Sequence, residues 1–113
     1  MNIIILNKKH QTGGDYIGRG GSPLGNPFTT KKESIADFLV KTHDECIDLY
    51  EQWLNLQIDK KNTDVLNELK RLINIHIQTG ELYLSCWCKP KRCHGDIIRK
   101  VLNERYNEIL NWS

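Results

Sequence analysis

The stretch "ELYLSCWCKPKRCHGDIIRK", residues 81 to 100, has a pattern typical of a strand, a basic turn and a helix. Alternation over residues 81–88 predicts a β-strand that carries Cys86 and Cys88 on one face. Helical spacing of apolar residues then begins near Asp96 and continues to Leu110. A helix that directly follows a buried strand is characteristic of α/β proteins.

The residues upstream extend this pattern. The apolar run 2–6 predicts a first strand covered on both faces, and residues 16–19 are a candidate short strand. Helical spacing predicts a short helix over 35–39, a longer one after Thr42, and a third from Val65 to Gly80. The sequence therefore predicts one α/β domain over residues 1–113, with a short, mainly parallel sheet packed by helices.

Length and composition exclude several classes of protein. The chain has 113 residues, 39% of them hydrophobic and 27% charged, which is too apolar for a disordered chain and too short for two domains. No apolar run approaches the roughly 18 residues that span a bilayer. The basic residues follow the first apolar run, the reverse of a signal peptide, so we expect a cytoplasmic protein without membrane contact. A net charge of +2 does not favour direct nucleic-acid binding.

A glycine-rich segment, "GGDYIGRGGSPLGNPF", occupies residues 13–28 and is called the glycine loop below. Its glycines would let backbone amides approach a ligand, Arg19 would grip a phosphate or carboxylate, and Phe28 would stack on a base. The predicted ligand-binding residues here are Arg19, Gly20, Gly21, Ser22, Gly25, Asn26 and Phe28. The spacing matches neither the P-loop nor the dinucleotide fingerprint. The alternative is a tight connection that needs positive φ angles at several glycines.

The turn after the second strand carries the residues best suited to chemistry. Cys93 and His94 lie at the start of the last helix, where unpaired amides favour an anion or a thiolate. We therefore expect Cys93 to have a lowered pKa and to be the most reactive thiol, with Asp96 capping the helix or orienting His94 as an acid or base. The predicted catalytic residues are Cys93, His94 and Asp96, and Cys88, Lys89 and Arg92 are predicted to bind the ligand.

A zinc site is the weaker interpretation of the same turn. Cys86, Cys88, Cys93 and His94 are suitable ligand types, but adjacent Cys93 and His94 do not easily point at one ion, so no metal is predicted and no cofactor is identified. Each of the two unusual segments follows a predicted parallel strand. Because ligands bind at the carboxyl edge of such sheets, we expect the two segments to form one site.

The motifs "YIGRGGSPLGNPF" and "CWCKPKRCHGD" together resemble a family of small bacteriophage and bacterial proteins catalogued as a domain of unknown function. The resemblance covers nearly the whole chain and implies a Rossmann-like α/β fold with a nucleotide-related ligand, but no established reaction. The positions that match the first motif are Ile17, Gly18, Arg19, Ser22, Gly25, Asn26, Pro27 and Phe28. Those that match the second are Cys86, Trp87, Cys88, Pro90, Cys93, His94, Gly95 and Asp96. Where the family has an arginine at the start of a helix, this chain has His43.

These observations favour a protein that binds a nucleotide or a nucleoside, and the expected partner is a nucleotide or another anionic small molecule. An enzyme acting on a base, glycosidic or phosphate group is one form of this hypothesis. A second hypothesis is a non-catalytic, phage-type module that sequesters a nucleotide signal or blocks a host protein, acting in the host cytoplasm if a phage encodes it. A zinc-stabilised interaction domain is a third.

Overall fold

The computed structural model describes residues 1–7, 13–19, 21–29, 38–86 and 92–112. These ranges contain five strands and four helices. In chain order they are β1 (Ile3–Asn7), β2 (Asp15–Tyr16), β3 (Phe28–Thr29), β4 (Phe38–Leu39), α1 (His43–Asp59), α2 (Thr63–Thr79), β5 (Leu82–Cys86), α3 (His94–Glu104) and α4 (Tyr106–Leu110).

The main sheet has the strand order β1-β5-β2, and both pairings are parallel. Asn7 is opposite Cys86 and Tyr16 is opposite Ser85, so the three strands end at the same edge. The prediction of a small α/β domain with a short parallel sheet packed by helices is confirmed. At this carboxyl edge the chain leaves β2 for the rest of the glycine loop, and it leaves β5 after Cys86.

The helix boundaries follow from local capping. Thr42 Oγ1 accepts a hydrogen bond from the Glu45 amide at 3.1 Å and starts α1, while Asn62 caps the start of α2. Gly80 ends α2 in the left-handed conformation, with φ at 84°. The last helical segment begins at His94 rather than Asp96, and it divides at Arg105 into α3 and α4.

The short helix predicted over residues 35–39 is wrong for Phe38 and Leu39, which form β4; residues 35–37 lie outside the described ranges. The Phe38 amide donates to the Pro27 carbonyl at 2.8 Å, and the Val40 amide donates to the Thr29 carbonyl at 2.7 Å. These bonds to a distant segment replace the local bonds of a helix. The predicted strand at residues 16–19 is also displaced, since β2 covers residues 15–16.

One face of the main sheet forms the core. Leu82, Leu84 and Cys86 of β5 are buried, whereas Tyr83 is 36% exposed and its partner on β1, Ile4, is 38% exposed. The prediction that the first strand is covered on both faces is therefore wrong. The described helices do not include one long and apolar enough to cross a membrane.

Candidate functional site

His94 connects the start of α3 to the glycine loop. Its imidazole is buried, and Nε2 lies 2.7 Å from the carbonyl oxygen of Ile17, so Nε2 carries the proton and donates it. Burial lowers the pKa of His94, which favours the neutral ring with its lone pair on Nδ1. The two segments that were expected to form one site therefore meet at the carboxyl edge of the sheet.

Tyr50 of α1 holds the loop from the opposite side. Its hydroxyl donates to the Leu24 carbonyl at 2.7 Å, and its ring lies edge-on to the His94 ring, with centroids 5.1 Å apart. The side chain is completely buried, and this burial raises the pKa of Tyr50 well above its ordinary value. Tyr50 therefore links α1, α3 and the glycine loop in one packed unit.

Arg19 closes the glycine loop on itself. One terminal nitrogen of its partly buried guanidinium donates to the carbonyls of Asn26 and Phe28, at 2.9 and 3.0 Å. The Cys46 thiol of α1 donates to the same Phe28 carbonyl at 2.9 Å. Arg19 therefore has a structural role. The predicted binding of an anion by Arg19 would have to use the other guanidinium nitrogens.

Asn26 and Ser22 also contribute to the shape of the loop. The side-chain amide of Asn26 is buried. Its Oδ1 accepts a hydrogen bond from the Phe28 backbone amide at 2.9 Å, and its Nδ2 donates to the Cys46 carbonyl at 3.5 Å. Ser22 Oγ accepts from the Leu24 amide at 3.1 Å and remains partly exposed. The structure thus gives the Asn26 side chain a role in joining the loop to α1, while Ser22 stays accessible at the surface.

The loop glycines allow close approach within the protein. A β-carbon at Gly25 would lie 2.8 Å from Arg19 Cα and 2.9 Å from its nitrogen, and one at Gly21 would lie 2.8 Å from the Tyr16 ring. The positive φ that the tight-connection alternative requires is found, among the described glycines of the loop, at Gly13 and Gly14. Phe28 was predicted to stack on a base. In the structure its ring stacks on the ring of Phe38, with centroids 5.4 Å apart. The predicted ligand residue at position 20 lies outside the described ranges.

Cys93 caps the start of α3 from inside the core. Its backbone amide donates to the Asp96 carboxylate at 3.1 Å, and Asp96 also pairs with Arg99 at 3.2 Å. The Cys93 Sγ lies 3.1 Å from Cys86 Sγ, and both residues are buried. The pKa of Cys93 is raised mainly by its contact with Cys86 and, to a smaller extent, by burial. The expected lowering is wrong because the thiol packs inward against a second sulfur. The capping role of Asp96 is confirmed.

Arg92 joins the starts of α3 and α1 at the surface. Its guanidinium pairs with Asp48 at 2.9 Å and with Asp44 at 3.5 Å, and the His43 ring contacts its carbonyl oxygen. Arg92 is exposed, as a ligand-binding residue requires, but carboxylates already balance its charge.

The predicted ligand residues Cys88 and Lys89 lie outside the part of the chain that the structure describes. Within that part, no three His, Cys, Asp or Glu side chains form a metal-binding group.

Sequence reasoning assigned no role to Tyr50 and Cys46, which both lie on α1. A tyrosine on an apolar face did carry a signal, because a buried hydroxyl usually finds a hydrogen-bond partner. Nothing comparable pointed to Cys46, whose pKa is raised chiefly by burial while Arg19 opposes the rise.

Removal of the Tyr50 hydroxyl tests how firmly α1 holds the loop. In Tyr50→Phe the Leu24 carbonyl loses its buried donor, so we expect the free energy of unfolding to fall by about 1 to 2 kcal/mol. Urea denaturation followed by circular dichroism measures this change. Tyr106→Phe, in a partly exposed tyrosine of α4, serves as the control. Equal stability of Tyr50→Phe and the unchanged protein would contradict the role given to the hydroxyl.

Comparison with known proteins identifies a family to which the chain is similar. The family model described as "Domain of unknown function (DUF4326)" matches residues 6–104, a span that includes both the glycine loop and the start of α3. No match was found among curated proteins or among solved structures.

Proposed function

Since the chain belongs to the DUF4326 family of domains of unknown function, we propose a function from the site itself. The protein binds a nucleotide or another anionic small molecule at the carboxyl edge of the parallel sheet. The observation that carries this proposal is the contact of His94 with the Ile17 carbonyl, at 2.7 Å. It joins the glycine loop to the start of α3, at the edge where open α/β sheets bind their ligands.

The distribution of charge supports an anionic ligand. Arg71, Arg92 and Arg105 each pair with carboxylates. In the described ranges Arg19 contacts carbonyl oxygens only, and no carboxylate there pairs with it. No acid among the described residues neutralises its positive charge, and this charge lies close enough to His94, at the start of α3, to contribute to the lowered pKa of that ring. A phosphate or carboxylate group has the chemistry that both features favour.

The burial of the predicted catalytic residues favours binding without a chemical step. Cys93 and His94 are buried, and the Asp96 carboxylate caps α3 and pairs with Arg99. These side chains support the fold that presents Arg19 and Ser22. We therefore favour the function of a non-catalytic module that sequesters a small anionic signal over the function of an enzyme. In this proposal the domain is a Rossmann-like platform that acts in the cytoplasm, the host's cytoplasm if a phage encodes it.

Isothermal titration with a panel of nucleoside monophosphates tests this function. We expect binding that weakens as salt is added, and a loss of about tenfold to a hundredfold in affinity for Arg19→Ala, because charge-assisted hydrogen bonds are lost. Arg19→Lys, which keeps the charge, should retain part of the affinity.

Arg105→Ala is the matched control, because Arg105 pairs with Asp59 and Glu108 in a contact between α1 and α4. Its affinity should equal that of the unchanged protein. Thermal melts of each variant separate loss of binding from loss of folding. Equal affinity for a nucleoside and its monophosphate, or no binding across the panel, would contradict an anion-directed nucleotide site.

A further inference from the structure

We propose that Cys86 and Cys93 form a redox-active pair that closes to a disulfide when the protein meets a peroxide. The pair stands apart from the binding function, because it depends only on the positions of the two sulfurs. Cys86 is the last residue of β5 and Cys93 is the N-cap of α3. The bond would tie the end of the central strand to the helix that holds the glycine loop.

The geometry already brings the sulfurs close together. Their Sγ atoms are 3.1 Å apart, and a disulfide bond is about 2.05 Å long, so an approach of about 1 Å is needed. Cys86 is 1% exposed and Cys93 is completely buried. A β-carbon at Gly95 would lie 3.3 Å from Cys93 Sγ, so the glycine leaves room beside that sulfur.

Hydrogen peroxide suits this pair because it is little larger than water and can enter on brief opening of the structure. During such an opening one of the two thiols loses its proton, and the resulting thiolate attacks the peroxide oxygen; the O–O bond breaks, and a sulfenic acid and hydroxide form. The second thiolate then attacks the sulfenic sulfur, forming the S–S bond and releasing a second hydroxide. The protons of the two thiols convert both hydroxides to water. The pair loses two electrons, and one peroxide becomes two water molecules.

Cys46 provides an internal comparison. It is also buried, but the structure places its thiol against the Phe28 carbonyl, at 2.9 Å, and the Asn26 amide, at 3.6 Å. Fast capture of a sulfenic acid as a disulfide requires a second thiol at contact distance. The geometry therefore assigns disulfide formation to Cys86 and Cys93, and leaves Cys46 as a thiol under the same treatment.

Peroxide treatment of the folded, reduced protein tests the pair. The sample is unfolded in excess N-ethylmaleimide, analysed by intact mass, and mapped by peptide mass spectrometry. We expect the treated protein to carry two fewer N-ethylmaleimide groups than the untreated protein, because the two thiols joined in a disulfide are not alkylated. The mapped link should join Cys86 to Cys93, and dithiothreitol should reverse it. Protein unfolded before peroxide is added should give a mixture of links instead.

Variants make the result specific. Cys46→Ser should form the link at the unchanged rate, while Cys86→Ser and Cys93→Ser should each lose it. Two separate variants guard against one that fails to fold, and circular dichroism checks each. A dominant link through Cys88 in the folded protein, or peroxide products limited to sulfinic and sulfonic acids, would overturn the proposal.

Discussion

Gly25→Ala should lower the free energy of unfolding by about 3 kcal/mol, because the added methyl group has no space. The new carbon would lie 2.8 Å from Arg19 Cα, 2.9 Å from Arg19 N and 3.1 Å from the Gly18 carbonyl carbon. All three are backbone atoms, so relief requires the loop itself to shift. Such a shift would disturb the bonds that Arg19 donates to the carbonyls of Asn26 and Phe28. Urea denaturation at neutral pH measures the loss.

Gly21→Ala is the matched control for this prediction. A β-carbon at Gly21 also falls at 2.8 Å from a neighbour, but that neighbour is the side-chain ring of Tyr16. A ring can move aside at lower cost than a backbone segment, so the control should lose clearly less stability. Equal losses in the two variants would show that backbone contact at Gly25 does not control the loop.

The pH dependence of stability should depend strongly on His94. Burial holds its pKa in the folded protein below the ordinary value of about 6.5. As the pH falls below that value, the unfolded chain takes up a proton that the folded protein resists. The stability that the neutral His94 contributes is therefore present above about pH 6.5 and is lost as the pH falls through the lower, folded-state pKa. The loss has a limit of about 1.4 kcal/mol per pH unit.

Urea denaturation of His94→Gln at several pH values between about 6.5 and 5 isolates this effect. The variant should be less stable at neutral pH, because it loses the buried contact with Ile17, but its stability should fall less steeply with acid. Tyr50→Phe, which weakens the same cluster but keeps the imidazole, is the control and should keep the full slope. If His94→Gln keeps the full slope as well, the buried imidazole is not its source.

Much of the fold could be predicted because its main elements carry their own signals. The apolar run of β1, the Thr42 cap of α1 and the stop at Gly80 are local features, and local chemistry determines them. The strand at Phe38 and Leu39 could not be predicted in this way. It forms because Pro27 and Thr29, on a separate segment, supply carbonyl oxygens to the amides of Phe38 and Val40.

The candidate site shows the same division. That the glycine loop and the start of α3 would meet followed from parallel strands, which direct successive connections to one edge. The directions of individual side chains did not follow. Cys93 turns inward because a second sulfur lies at the end of β5, and Asn26 is buried because α1 presents the Cys46 carbonyl. Each depends on a partner in another element, seven residues away for Cys93 and 20 residues away for Asn26.

The strand order β1-β5-β2 has a consequence for the synthesis of the protein. The central strand is the last of the three in the chain, and both of its neighbours emerge from the ribosome well before it. Until Leu82 and the residues after it appear, β1 and β2 have no partner in this sheet, and their backbone amides and carbonyls stay open to other chains. Closing such long connections is slow in folding. The nascent chain therefore passes through a period of exposure to aggregation, which ends when β5 is inserted between the two waiting strands.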